Sequence, residues 1–214
     1  MNKITFSQIF ALLVLLLLLA YGGFYYLQNR NTSGQGTSLT IPGFPLNQQQ
    51  ILKYLRMANM VAQEAVKSGH PPFGAVLVGP DGERVLIKQG NISLIDHAET
   101  VIARRAFALY EPDYLWQCTL VTNVEPCVMC AGNIYWANIG NVVYGIEEIT
   151  MRKLTGADKR NPTMNLPCRK VFAAGQKPIR VVGPVKEMEA ELLATIKAYW
   201  QRETPRVGFE PTTK

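Results

Sequence analysis

Two short stretches hold the residue types of a metal-dependent hydrolytic centre. In "SLIDHAETVIARR", His97 and Glu99 stand two residues apart; in "VEPCVMCAGNIYWA", Cys127 and Cys130 stand three apart. Cysteines at that spacing at a helix start place both sulfurs on one face, where they can hold a single ion. A third nitrogen or sulfur ligand would leave the fourth tetrahedral position to water. His97 is the natural candidate, since the chain has one other histidine, His70 in "GHPPFG", which reads as a loop residue. On an ideal helix His97 and Glu99 diverge, but residues of a first turn converge on a point beyond the helix end, so a metal lying off that N-terminus meets both. Two thiolates and a neutral imidazole cancel the charge of Zn2+, and the metal still polarises a water in its fourth position. Glu99 is then free to take that water's proton and hand it on as a general acid/base. A structural zinc site would be closed by a fourth protein ligand and would have no use for Glu99. A redox CxxC would need a thioredoxin-like surrounding that the sequence lacks. Cys118 and Cys168 read as small core or helix residues.

The elements that must position these residues follow from periodicity. "LNQQQILKYLRMANMVAQEAVKSG" carries Ile51, Leu55, Ala58, Ala62 and Ala65 at helical spacing, with Asn47 as N-cap and Gly69 as stop. "FGAVLVGPDGERVLIKQG" is two strand-like runs around a Pro-Asp-Gly turn, a hairpin. Then come a helix from about His97 to Leu109, the strand "TLVTNV", a helix from Cys127 to about Ala137, the strand "NVVYGI", a long basic connection, the strand "IRVVG", and a last helix from about Val185 to Trp200. A hairpin followed by alternating helices and strands predicts an α/β fold: a three-layer α/β/α sandwich around a mixed, roughly five-stranded sheet.

The expected fold also includes an N-terminal transmembrane helix. Ile4 to Leu27 carries no charge and includes "IFALLVLLLLLA", long enough at about 1.5 Å per residue to cross a bilayer core of roughly 30 Å. Residues 1–28 are therefore expected to be a membrane anchor, with a cleaved signal peptide as the competing reading. Residues 29–45 read as a flexible linker, 46–200 as the folded domain, and 201–214 as a mobile tail. With Lys3 before the apolar run and only Arg30 after it, the slight charge bias places the domain outside the cytoplasm, or secreted if the segment is cleaved.

Charge constrains partners only weakly. The formal net charge is +6, of which residues 46–200 contribute +3 from 17 basic and 14 acidic residues. The surplus is concentrated between Met151 and Arg180, where eight basic residues (Arg152, Lys153, Lys159, Arg160, Arg169, Lys170, Lys177, Arg180) face Asp158 alone. Such a stretch is either a phosphate-facing surface or a solvated loop and helix face.

His97-Ala98-Glu99 and Pro126-Cys127-Val128-Met129-Cys130 together match H-x-E…P-C-x-x-C, the signature of zinc deaminases of nucleobases. "PFGAVLV", "HAE", "EPCVMCAG" and "VVYG" follow in the order seen in the cytidine/deoxycytidylate deaminase-like superfamily. The chain resembles that superfamily over roughly Ile51 to Trp200, on the side holding guanine deaminases, cytosine deaminases and tRNA adenosine deaminases. The resemblance implies a zinc-dependent deaminase domain in which activated water attacks an amino-bearing ring carbon, Glu99 is catalytic and shuttles protons, and ammonia leaves. It further implies that Asn91 reaches the substrate, that Phe73 packs on the base, and that the Ala98 amide meets a substrate carbonyl. Asn91 as a turn residue and Phe73 as core are the alternative readings. The end helix "EAELLATIKAYW" resembles one whose aromatic, here Trp200, closes a pocket of its own or a neighbouring subunit, which implies a homodimer; core packing of Trp200 is the other reading. Bacterial guanine deaminases carry an aspartate after the strand that follows the CxxC helix. Here Glu147 and Glu148 stand there, which counts against guanine. The substrate reading is a small nucleobase or nucleoside, with tRNA adenosine as the alternative and a non-catalytic zinc-binding module as a third.

Overall fold

Asn47 opens the first helix, α1 (Gln48–Lys67), with a reciprocal cap. Its Oδ1 accepts the Gln50 amide at 3.0 Å and the Gln50 side chain accepts the Asn47 amide at 2.9 Å. Gly69, at φ +86°, turns the chain after the helix. The structure is a computed structural model and describes residues 42–155, 161 and 163–201.

The chain then forms an antiparallel hairpin, β1 (Gly74–Val78) and β2 (Val85–Gly90). A side chain at Gly74 would put its Cβ 2.3 Å from the Ala58 carbonyl oxygen, so this glycine lets α1 lie directly on the sheet. Next come α2 (Ala98–Leu109), the short α3 (Pro112–Gln117), β3 (Thr119–Val124), α4 (Val128–Trp136) and β4 (Asn141–Ile146). The remaining elements are α5 (Glu148–Thr155), α6 (Cys168–Ala173), β5 (Arg180–Val182) and α7 (Lys186–Trp200).

The sheet runs β2-β1-β3-β4-β5, antiparallel across its first three strands and parallel across β3, β4 and β5. β1, β3 and β4 are buried on both faces, which is why none of them alternates apolar with polar residues. One face packs Ile102 of α2, Leu115 of α3, Ile134 of α4 and Phe172 of α6; the other packs Ile51 and Tyr54 of α1, Met151 of α5 and Leu192 and Ile196 of α7. Each such side chain contributes about 1.5–3 kcal/mol on burial. Trp200 packs partly buried against the second of these faces, with its ring edge-on to Tyr199 at 5.0 Å, which is the core reading of that residue. Cys118 and Cys168 are fully buried, and burial pushes both thiols up, Cys118 to about 12.

Two differences from the sequence expectations stand out. The long basic connection contains α5 and α6, and α3 precedes β3; eight or fewer residues each are too short to display a helical period. The second is a correction to the expected fold class. No helix among the described residues is long and apolar enough to cross a membrane, and those residues fold as a mixed five-stranded α/β sheet with its helices. The apolar run that prompted the expectation, with residues 29–41 of the expected linker and 202–214 of the expected tail, lies outside the described residues.

Candidate active site

His97 and Cys127 occupy equivalent places: each is the N-cap of a helix, α2 and α4 respectively, and neither side chain caps its own helix. An N-cap residue has extended backbone angles, so its side chain projects off the helix end rather than along its flank. This resolves the divergence of His97 and Glu99 on an ideal helix. The two helices pack side by side, and their N-termini bring the donors together. Cys127 Sγ lies 3.6 Å from His97 Nδ1, Cys130 Sγ lies 3.5 Å from His97 Nδ1, and the two sulfurs are 3.5 Å apart. A tetrahedral zinc with Zn–S of about 2.3 Å and Zn–N of about 2.0–2.1 Å requires S···S near about 3.8 Å and S···N near about 3.6 Å. The triangle fits that ion, and His97, Cys127 and Cys130 are positioned to bind it.

The thiols are electrostatically unequal. The Cys130 hydrogen bond holds Cys127 well below the usual thiol range against its burial, while the same contact and burial push Cys130 up. Thr100 Oγ1 lies 3.5 Å from Cys130 Sγ. His70 is not part of the donor cluster.

Glu99 is 5% exposed and is not one of the three donors. Its Oε1 accepts the Thr122 hydroxyl at 2.8 Å, and its Oε2 lies 3.5 Å from Cys130 Sγ. Burial raises its pKa, with the His97 charge and the Thr122 hydrogen bond opposing. A carboxylate held beside three metal ligands without joining them can accept and return a proton at the fourth coordination position.

The residues expected to meet a substrate lie around this centre. Phe73 is half-buried, its ring centroid 6.5 Å from that of His97. Asn91 is buried; its amide donates to the Phe73 carbonyl at 2.9 Å and its Nδ2 to the Ser93 carbonyl at 3.0 Å. Asn91 Oδ1 is a buried acceptor with no partner among the described residues. Ala98, fully buried, is the first residue of α2, where backbone amides have no acceptor within the helix.

Two further carboxylates lie near the site: Glu125, which the sequence reading did not single out, and Glu148, which it noted only as standing where an aspartate was expected. Glu125, 5% exposed, accepts the Cys168 amide on Oε1 at 2.9 Å and the Glu148 amide on Oε2 at 3.1 Å, tying the N-termini of α6 and α5 to the strand end that leads into Cys127. Glu148 accepts the Thr163 hydroxyl at 2.7 Å, and its charge is felt by His97 and Glu99. The available signal for Glu125 was its place directly before the Pro-Cys pair, at the end of a strand.

The basic stretch is divided. Arg169 donates to the Val181 and Gly183 carbonyls at 2.9 and 2.8 Å, Arg180 to the Gly43 carbonyl, and Lys177 to the Tyr135 carbonyl at 2.8 Å while lying over the Tyr135 ring. Arg152 and Lys153 are exposed on α5; Lys159 and Arg160 lie outside the described residues.

A His/Cys/Cys site with an adjacent carboxylate that is not a donor, set on a mixed sheet, has the form of a hydrolytic metal centre. Residues 48–146 match the family model described as the cytidine and deoxycytidylate deaminase zinc-binding region. A probable cytosine deaminase of Schizosaccharomyces pombe is 36% identical over 155 residues, covering 70% of this chain and 91% of that protein. A tRNA-specific adenosine deaminase of Haemophilus influenzae is 35% identical over 102 residues, covering 45% of this chain and 58% of that one. A solved guanine deaminase from Nitrosomonas europaea shares the fold at a TM-score of 0.52 and 19% identity, covering 71% of this chain and 82% of its own. The chain belongs to the cytidine and deoxycytidylate deaminase zinc-binding family. It is accordingly a zinc-dependent hydrolase.

Proposed function

We propose that the protein hydrolytically deaminates a small nucleobase or nucleoside, with Glu99 as the catalytic proton carrier. The observation that carries this reading is the placement of the Glu99 carboxylate beside, but outside, the His97, Cys127 and Cys130 donor set, with one oxygen fixed by Thr122. Zinc held by those three donors supplies a strong electric field that activates a water for attack at neutral pH. The Glu99 carboxylate takes the proton of the attacking water and delivers it to the ring nitrogen next to the amino-bearing carbon. A second proton passes through the same carboxylate to the amine, the C–N bond breaks, and ammonia leaves as the ring carbon becomes a carbonyl.

Three groups around the centre suit a planar base. The Phe73 ring offers an apolar face, the Asn91 Oδ1 an acceptor, and the Ala98 amide a donor. Cytosine heads the list of candidate substrates, because the cytosine deaminase relative is covered over nearly its whole length.

A tRNA adenosine is the second reading, favoured by the similarity to the H. influenzae enzyme and by the exposed Arg152 and Lys153. Arg169, Lys177 and Arg180, engaged with backbone carbonyls, weaken the basic stretch as a phosphate surface. Ammonia release from cytosine, guanine, adenine, their nucleosides and an anticodon stem-loop, each assayed separately, tests both readings. Release from a free base or nucleoside supports the first. Release confined to the stem-loop, with loss of binding and a flatter salt dependence on neutralising Arg152 and Lys153, replaces it with the second.

A further inference from the structure

We infer that Asn123 is a positioning residue for substrate binding, one that sets the place of the Phe73 ring by clamping the backbone on both sides of it. The inference rests on the reading above, in which Phe73 packs on the base. Asn123 lies in β3, and its side chain is fully buried. Its Nδ2 donates to the Pro72 carbonyl at 2.9 Å and its Oδ1 accepts the Gly74 amide at 3.1 Å. Pro72 has no amide of its own, so this carbonyl is its one backbone polar group. The Phe73 carbonyl accepts the Asn91 amide, and the Phe73 amide donates to Pro71. Gly74 is pressed against the Ala58–Ala62 backbone of α1. The chain on either side of Phe73 therefore cannot slide or rotate while the Asn123 clamp holds.

The arrangement follows from strand geometry. Successive side chains of a strand point to opposite faces, so Thr122 reaches Glu99 at 2.8 Å, with the Gly74 carbonyl a more distant acceptor at 3.3 Å, while Asn123 takes the Pro72 carbonyl and the Gly74 amide from the other face. Adjacent residues at the end of one central strand thus hold the proton carrier and the aromatic wall. Loss of the first acts on turnover. Loss of the second acts on substrate binding.

A double-mutant cycle tests this, using the base or nucleoside turned over fastest in the panel above. Asn123→Leu, Phe73→Ala and the double variant are compared for KM, kcat and zinc content. The expected result is that Asn123→Leu keeps its zinc and a kcat within about threefold of wild type while KM rises about tenfold. The double variant then has the KM of Phe73→Ala alone, because the clamp has nothing left to position. Additive effects on log KM, an unchanged KM in Asn123→Leu, or a fall in zinc and kcat without a rise in KM would overturn the inference alone. An unchanged KM in Phe73→Ala removes the ring-packing reading, and the inference falls with it. Should Asn123→Leu be insoluble, Asn123→Ala, which removes both contacts without adding bulk, is read in the same cycle against the same outcomes.

Discussion

Thr122 donates its hydroxyl to Glu99 Oε1 across 2.8 Å, and the other oxygen of that carboxylate lies 3.5 Å from Cys130 Sγ. The strand beneath the site thus fixes the rotation of the carboxylate, and one oxygen is left to face the metal ligands. Glu99→Gln keeps an acceptor for Thr122 but removes proton transfer. It is expected to retain one zinc per chain while kcat falls by about 10²–10⁴. Thr122→Val is expected to lower kcat by roughly tenfold, through a misplaced carboxylate, with KM little changed. Single-turnover assays with parallel metal analysis check both; near-normal turnover in Glu99→Gln would exclude the proton role.

Cys127→Ala removes one of three donors and leaves His97 and Cys130 to hold the ion. Loss of the bound zinc and of activity is expected, because two protein ligands do not retain a catalytic zinc. Chelated wild-type protein should regain activity on addition of Zn2+. Elemental analysis reads the first directly, and a full equivalent of zinc in Cys127→Ala would remove Cys127 from the ligand set.

Glu125 satisfies amides at the starts of two helices from within the core. Truncation in Glu125→Ala strands both, at about 1–3 kcal/mol each. For a protein of this size a total of about 2–6 kcal/mol corresponds to a fall in Tm of roughly 5–20 °C. Glu125→Gln, which keeps one acceptor, is expected to fall between. Calorimetry of the zinc-loaded protein measures this, and a Tm within a degree or two of wild type would show that the two contacts carry no stability.

Burial pushes the Glu148 carboxyl up from its ordinary 4.5 to about 7, with the Thr163 hydrogen bond opposing and the charges of Cys127, Glu99 and Glu125 adding to the rise. The folded protein therefore holds a proton that the unfolded chain releases between about pH 4.5 and 7, and stability is lost as pH rises through that window. Glu148→Gln keeps an acceptor for Thr163 and does not titrate. Its stability advantage over wild type is expected to be absent below about pH 4.5, to grow up to about pH 7, and then to stay constant at no more than about 3 kcal/mol. Thermal unfolding at pH 5, 6, 7 and 8 tests the sign. Parallel curves for the two proteins would refute it.

Much of the site could be read from the sequence because its chemistry is local. Cys127 and Cys130 are one helical turn apart, and His97 and Glu99 flank the first position of another helix, so spacing alone brackets the three donors and the carboxylate beside them. The α1 caps and the hairpin were legible for the same reason: Asn47, Gly69 and the Pro-Asp-Gly turn act within a few residues of themselves. Tertiary structure alone decided what depends on distant partners. Glu125 looks like any glutamate until the amides of residues 148 and 168 are brought to it, and Asn123 looks misplaced in a strand until residues 72 and 74, some fifty positions earlier, lie across it. The helices α3, α5 and α6 are too short to announce themselves by period, and α5 and α6 start where Glu125 meets their first amides. Sequence spacing reports which groups one element can present together; which groups two elements share is set by packing, and hydrogen bonds across the sheet leave no trace in local periodicity.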